Sequence, residues 1–282
     1  MLRIKKTLSV GVLEISGMGW RWVDGQREVL AIGDRTFHLA TAPWGDAPAF
    51  TLHELRPLVP GAGDDSQWEA VAGDGSGAVF VLRESPGAVQ IFSPGLDRLV
   101  HTIHLTVPDD SPLADDWNRD ENSRGEGLVL LRGGHLLVLK EKKPPMLIEF
   151  GPAGQAAAGY ARGDAVGEGH IFPVPAGAES VFVPLKAWRL SASDQKLVGD
   201  LSDLAADPQG TLYALADQER LLVRLESTLS PAEKTCSVKE TWELPAEIDK
   251  PEGLAITPAG EPFVARDINK LRGNAYLLEP PR

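Results

Sequence analysis

Residues 125–141 read GEGLVLLRGGHLLVLKE. An acid opens a short apolar run, a Gly-Gly turn follows, and a second apolar run closes on another acid. Glu126 and Glu141 are 15 residues apart. That spacing fits two antiparallel strands joined by a hairpin, and the turn residues interrupt any 3.6-residue helical period. The figure recurs. Second runs EVLAIGD, AVFVLRE, TLYALAD and EPFVARD end at Asp34, Glu84, Asp217 and Asp267. They answer first runs that open at Ser16, Glu69, Asp203 and Glu252. From first acid to second the distance is 15 residues (69 to 84), 14 (203 to 217) and 15 (252 to 267), and the unit opened by Ser16 spans 18.

Third runs follow as TFHLATA, AVQIFSP, MLIEFGP, LLVRLES and NAYLLEP, and fourth runs as TLHELRPLV, LVHTIHLTV, KAWRLSA and ETWELPA. Four short strands repeated about every 50 residues form the sequence pattern of a propeller blade. The fold expected is all-β: a single β-propeller over residues 1–282, five-bladed, with the N-terminal segment LRIKKTLSV supplying the fourth strand of the last blade. Closing the ring in this way removes both open sheet edges. Residues 151–185, rich in Gly, Ala and Pro, carry HIFPVP and SVFVPL. They read as an insertion or as a degenerate blade, which would make the ring six-bladed. Residues 110–125 read as an acidic loop with at most one helical turn.

Composition narrows the function classes. The charge is 28 basic minus 40 acidic residues, or −12, which argues against a nucleic-acid partner. No run approaches the 18 or so apolar residues of a spanning helix, so no membrane insertion is expected. The N-terminus shows no secretory pattern, which points to the cytoplasm, or to the periplasm or exterior if a leader has been removed. A monomer is expected. One cysteine, Cys236, excludes an internal disulfide and a cysteine-based metal cluster and reads as inert.

In a blade, the start of the first strand and the end of the second lie on the same face. The repeat therefore gathers Glu69, Glu126, Asp203 and Glu252, with Ser16 in their row, beside Asp34, Glu84, Glu141, Asp217 and Asp267 at one channel mouth. Carboxylates this close raise one another's pKa or attract a counter-ion. Ca2+, which takes six to eight oxygen ligands in flexible geometry, suits them better than octahedral Mg2+. Arg83, Lys140 and Arg266 adjoin the second-strand acids and offer internal ion pairs, or an anion site beside a metal. The plainer alternative is that the acids cap turns by accepting backbone N–H bonds.

Other motifs are sparse. Gly73-Asp74-Gly75-Ser76-Gly77 lies within a hairpin and reads as a turn. His101 and His104 have opposite strand parity, so one flat strand cannot aim both at one ion. Most tryptophans read as packing between strands, while Trp68 and Trp117 are placed to line or cover the mouth.

Residues 122–150, NSRGEGLVLLRGGHLLVLKEKKPPMLIEF, resemble the SdiA-regulated, YjiK-like propeller family, and are similar to the propeller family described by an esterase-like activity of phytase. LSDLAADPQGTLYALAD and KPEGLAITPAGEPFVARD look like further units of the same kind. The resemblance implies a calcium-binding propeller, usually envelope-associated, and the second family implies ester or phosphoester hydrolysis. Ser16, where an acid is expected, departs from the pattern. Three functions follow as expectations: a propeller that binds Ca2+ and a small anionic ligand or protein at one mouth; a metal-dependent hydrolase of an ester, lactone or phosphoester; or a metal-free interaction scaffold.

Overall fold

In a computed structural model, which describes residues 1–120 and 123–281, every sheet is built on four-stranded antiparallel meanders. Glu121 and Asn122, both within the acidic loop and the second also opening the family-like stretch, lie outside the described residues. Strands β2 (Ile15–Val23), β3 (Gln26–Gly33), β4 (His38–Pro43) and β5 (Thr51–Glu54) form one meander. β6 (Trp68–Gly73), β7 (Val79–Arg83), β8 (Ala88–Phe92) and β9 (Leu99–Leu105) form the next. The short helix α1 (Ala114–Asn118) precedes β10 (Gly127–Leu130), β11 (Leu136–Lys140), β12 (Met146–Pro152) and β13 (Glu179–Leu190). After α2 (Ala192–Val198) come β14 (Asp203–Ala206), β15 (Leu212–Ala216) and β16 (Leu221–Leu225). β17 (Thr235–Cys236) is a two-residue strand paired to β13, and β18 (Val238–Glu243) completes the sheet of β14. β19 (Pro251–Ile256), β20 (Pro262–Arg266) and β21 (Ala275–Leu278) are completed by β1 (Ile4–Leu8), which runs antiparallel to β21.

The first strands surround the channel: β2 packs on β6, β6 on β10, β10 on β14, β14 on β19, and β19 returns to β2. Second and third strands are sandwiched between neighbouring sheets, so both faces are apolar. β11, LLVLK, is buried at every position. Fourth strands lie outside and alternate, as in β9, where His101, Ile103 and Leu105 are buried and the residues between them are not. The core is divided among the clefts between adjacent sheets, one cluster joining β6–β9 to β10–β13 and another joining β2–β4 to β19–β21. The fold is a β-propeller, and among the described residues no helix is long and apolar enough to cross a membrane.

Three features differ from the sequence expectation: the strand β13, Trp68 and Trp117. SVFVPL and KAWRL are one strand, β13, whose first half pairs in parallel with β9 and whose second half completes the meander of β12. Residues 153–178 form no meander of their own. They lie across the propeller, tied by the bridges Leu131–Ala165 and Tyr160–Leu229 and by the buried Glu149, which accepts the N–H groups of Ala158 and Gly159. Trp68, expected at the mouth, is fully buried between sheets, edge-on to Phe37 and donating from Nε1 to Gln90. Trp117 is buried against Phe150.

Candidate functional site

The entry to each first strand is irregular, and that irregularity aims the side chains. Strand pairing skips one residue at Ser16, Glu69 and Glu252, so each sits on a bulge that leaves it out of the ladder. Two residues earlier, Glu14, Gln67 and Lys250 take positive φ, an uncommon conformation for residues with a Cβ. Their carbonyls accept the N–H groups of Asp34, Glu84 and Asp267, fixing the end of each second strand beside the start of the first. Between sheets, the Gln67 N–H donates to the Asp34 carbonyl and the Leu201 N–H to the Glu141 carbonyl.

A cavity of about 330 Å³ opens here, lined by Asp34, Glu69, Glu84, Glu126, Glu141, Asp217 and Glu252, with Gln67, Ser202 and Lys142. Seven carboxylates thus share one cavity with a single lysine, which pairs with Glu141 at 2.7 Å. Among the described residues, the carboxylates of Glu69, Glu126 and Glu252 have no hydrogen-bond donor and no ion pair. Burial comes first in holding Glu69 and Glu126 well above the ordinary carboxylate range, and their acidic neighbours add to it. Burial, helped by Asp267 and Asp217, lifts Glu252 to about 8. Glu84 rises to about 7, mainly by burial, although the Arg124 N–H donates to it at 3.1 Å. Burial likewise takes Asp34 and Asp217 to about 6 and raises Glu141 against the pull of Lys142.

Asp203 does not join this row. Pairing places it opposite Leu215, the position that Ala70 takes opposite Leu82 and Gly127 opposite Leu139. Ser202 therefore occupies the place of Glu69 and Glu126. Asp203, one residue on, projects among the first strands and is almost fully buried. It accepts N–H bonds from Leu204 at 2.7 Å, Leu254 at 2.6 Å and Met18 at 3.4 Å, tying β14 to β19 and β2. The row is thus Ser16, Glu69, Glu126, Ser202 and Glu252. Both serines donate to the neighbouring first strand, Ser16 to the Trp68 carbonyl at 2.5 Å and Ser202 to the Pro251 carbonyl at 2.6 Å.

The basic residues named from sequence point elsewhere, because adjacent residues of a strand face opposite sides. Lys140 is fully buried and donates to Ser123 and the Lys142 carbonyl. Arg266 pairs with Asp249 and donates to the Tyr276 hydroxyl at 2.9 Å. Arg83 makes no ion pair among the described residues, and its buried Nε has no partner. The cations that do meet the acids come from loops: Lys142 on Glu141, Lys250 on Asp267 at 2.7 Å, and Arg35 between Glu14 and Asp34. Asp267 and Ser16 are at this end of the channel but do not line the cavity. Cys236 is buried and its thiol pushed up to about 12, which keeps it unreactive.

The arrangement can hold a positive charge or share protons among carboxylates. Its donors are all oxygens, and Asp34 Oδ1 is buried with no partner, which suits a hard cation. Among the described residues, no three His, Cys, Asp or Glu side chains converge as a ready coordination cluster. Coordination therefore requires carboxylates from facing strands to rotate inward.

The fold is similar to that of the PQQ-bound aldose sugar dehydrogenase from Streptomyces coelicolor, at 11% identity and a TM-score of 0.52, over 99% of this chain and 97% of that one. It is also similar to virginiamycin B lyase from Staphylococcus aureus, at 10% identity and a TM-score of 0.47, over 98% and 99%. At 11% identity the likeness to the dehydrogenase shows the fold alone. No curated protein matches the chain in sequence. The model of the SdiA-regulated family matches residues 63–269, a stretch that contains the glutamates Glu69, Glu126 and Glu252, and on that match the chain belongs to the SdiA-regulated family.

Proposed function

We propose that the chain is a five-bladed propeller whose acidic mouth binds a divalent cation of the Ca2+ class, through which it takes a small anionic ligand or a protein partner. The blade count is supported by the first strands β2, β6, β10, β14 and β19 packing in a closed cycle. The cation reading is carried by one observation: Glu69, Glu126 and Glu252 line one cavity without a donor among them. A hard cation would draw on these three first, with Asp34, Glu84, Glu141 and Asp217 completing an oxygen shell. Ca2+ tolerates variable coordination number and angle, which suits ligands drawn from separate strands better than the strict octahedron of Mg2+ does.

Thermal unfolding in EDTA, Ca2+ and Mg2+, with wild type and Glu126→Gln, tests the reading. Ca2+ at a hundredfold excess over its Kd stabilises by about 2.7 kcal/mol, or roughly 5–10 °C in a chain of this size. Glu126→Gln melts higher than wild type in EDTA, because one repelling acid is gone, and loses the Ca2+ increment. A melting temperature unmoved by Ca2+ overturns the cation reading and leaves the metal-free scaffold. Ca2+-dependent turnover of an ester, lactone or phosphoester panel, abolished in Glu126→Gln, would extend the reading to hydrolysis.

A further inference from the structure

The other end of the channel has a different chemistry, aromatic rings and guanidiniums beside two acids. The first strands leave the acidic mouth and end at Trp20, Trp22, Arg132, Ala206, Asp207 and Ile256, which line a second cavity of about 280 Å³. Residues Gly163 to Glu168 wall one side of it, held by the Arg132 N–H on the Asp164 carbonyl and the Val166 N–H on the Leu130 carbonyl. Arg27 faces Trp22 across the β2–β3 pair, and its guanidinium lies 5.4 Å from the Trp20 ring and 5.2 Å from the Trp22 ring.

Two guanidiniums, Arg27 and Arg132, and two carboxylates, Glu168 and Asp207, line this cavity, and they do not pair with one another among the described residues. Among the described residues the Arg27 guanidinium has no ion pair and no hydrogen bond, and burial pushes its pKa down. Glu168 is close enough to act on Arg27 by charge but forms no ion pair with it. Arg132, which lines the cavity, donates from Nε to the Ala165 carbonyl at 3.2 Å, and its terminal nitrogens have no partner among the described residues. Trp22 is 8% exposed, and its buried indole N–H has no partner. The nearby acid Asp207 is engaged, its Oδ1 accepting the N–H groups of Gln209 and Thr211. Inward, sharing Trp20, Trp22 and Val166 as lining, the channel narrows to an apolar throat of about 80 Å³ among Met18, Val71, Leu128, Leu204 and Leu254.

We propose that this end of the channel binds a small aliphatic monocarboxylate, its head on the Arg27 and Arg132 guanidiniums and its chain in the apolar throat. A guanidinium matches a carboxylate with two parallel N–H bonds, and the unpartnered Arg27 guanidinium and buried Trp22 indole N–H select an acceptor. The two cavities together fall in the size range of small-molecule pockets. The site is independent of the cation reading at the acidic mouth.

Isothermal titration with sodium octanoate, octylamine and 1-octanol tests it on the full chain. Octanoate binds, and the amine and the alcohol bind at least about tenfold more weakly. Arg27→Gln lowers octanoate affinity at least about tenfold, the loss of one charge-assisted hydrogen bond. Arg132→Gln, at an exposed position that leaves the fold intact, weakens it in the same direction. Glu126→Gln, at the far mouth, leaves it unchanged. No heat with octanoate, equal binding of octylamine, or full affinity in both arginine variants overturns the proposal.

Discussion

Glu252 shows what one side chain at the acidic mouth does to the whole. Its carboxyl is lifted to about 8 from an ordinary 4.5, Glu84 to about 7, and Asp34 and Asp217 to about 6 from 3.8. The folded chain holds these protons more tightly than the unfolded chain. Their contribution to stability is therefore fully present below the ordinary carboxylate range and is lost as pH rises through 6 to 8. Melting temperature in EDTA should fall between pH 5 and pH 8.5, and added Ca2+ should recover more at pH 8 than at pH 6. A melting temperature that climbs over this interval would contradict the assignment. Asp203 is a different acid. Asp203→Ala leaves the Leu204 and Leu254 N–H groups without their acceptor in a buried setting and should cost about 3 kcal/mol, read by urea unfolding. The difference between the two acids could be read in the sequence. Among the intervals that run from acid to acid, the 14 residues from Asp203 to Asp217 are the odd one, and counting from Ser202 restores 15. Aligning the units on Met18, Val71, Leu128, Leu204 and Leu254 places serine in the acid row and Asp203 where the other units keep glycine or alanine.

At the scale of the strand, that small-residue position sets how closely the first strands approach. A Cβ on Gly127 would lie 2.6 Å from the Leu204 nitrogen, and one on Gly253 would lie 2.8 Å from Met18 Cγ. The glycine of Glu-Gly-Leu is thus a contact between strands rather than a turn residue. Gly127→Ala should destabilise by about 1–3 kcal/mol through overpacking, whereas Gly133→Ala, with open space around it, should melt as wild type does. Strand pairs, their hairpins and the closing acids Asp34, Glu84, Glu141 and Asp217 were legible because apolar alternation and turn residues are local signals. The bulges were not, since a skipped residue is defined by the partner strand. Nor were the counter-charges Lys142 and Lys250, because loop conformation decides where a lysine after or before a strand returns. The joining of SVFVPL and KAWRL into β13 escaped for the same reason: β9, which pairs with the first half, is distant in sequence.

For the molecule as a whole, ring closure rests on β1. Leu2 is buried in the cluster between the sheets of β14 and β19, its N–H on the Glu243 carbonyl, and Asn274 bonds Val10 and Val12 from the other side. Deleting residues 1–8 should expose the free edge of β21 and give dimers or larger species on size-exclusion chromatography, and the undeleted chain should elute after them, as a monomer. The joined edges of β9 and β13 weld two neighbouring sheets into one and set that sector apart from the rest of the ring. The β1–β21 pair has a further, mechanical consequence. Ile4 lies opposite Leu278 and Leu8 opposite Ala275, so the two outer ends of the pair point the same way. A force applied there would peel the rungs apart one at a time instead of shearing them together. The joint that closes the last sheet is thus one that opens by unzipping under tension.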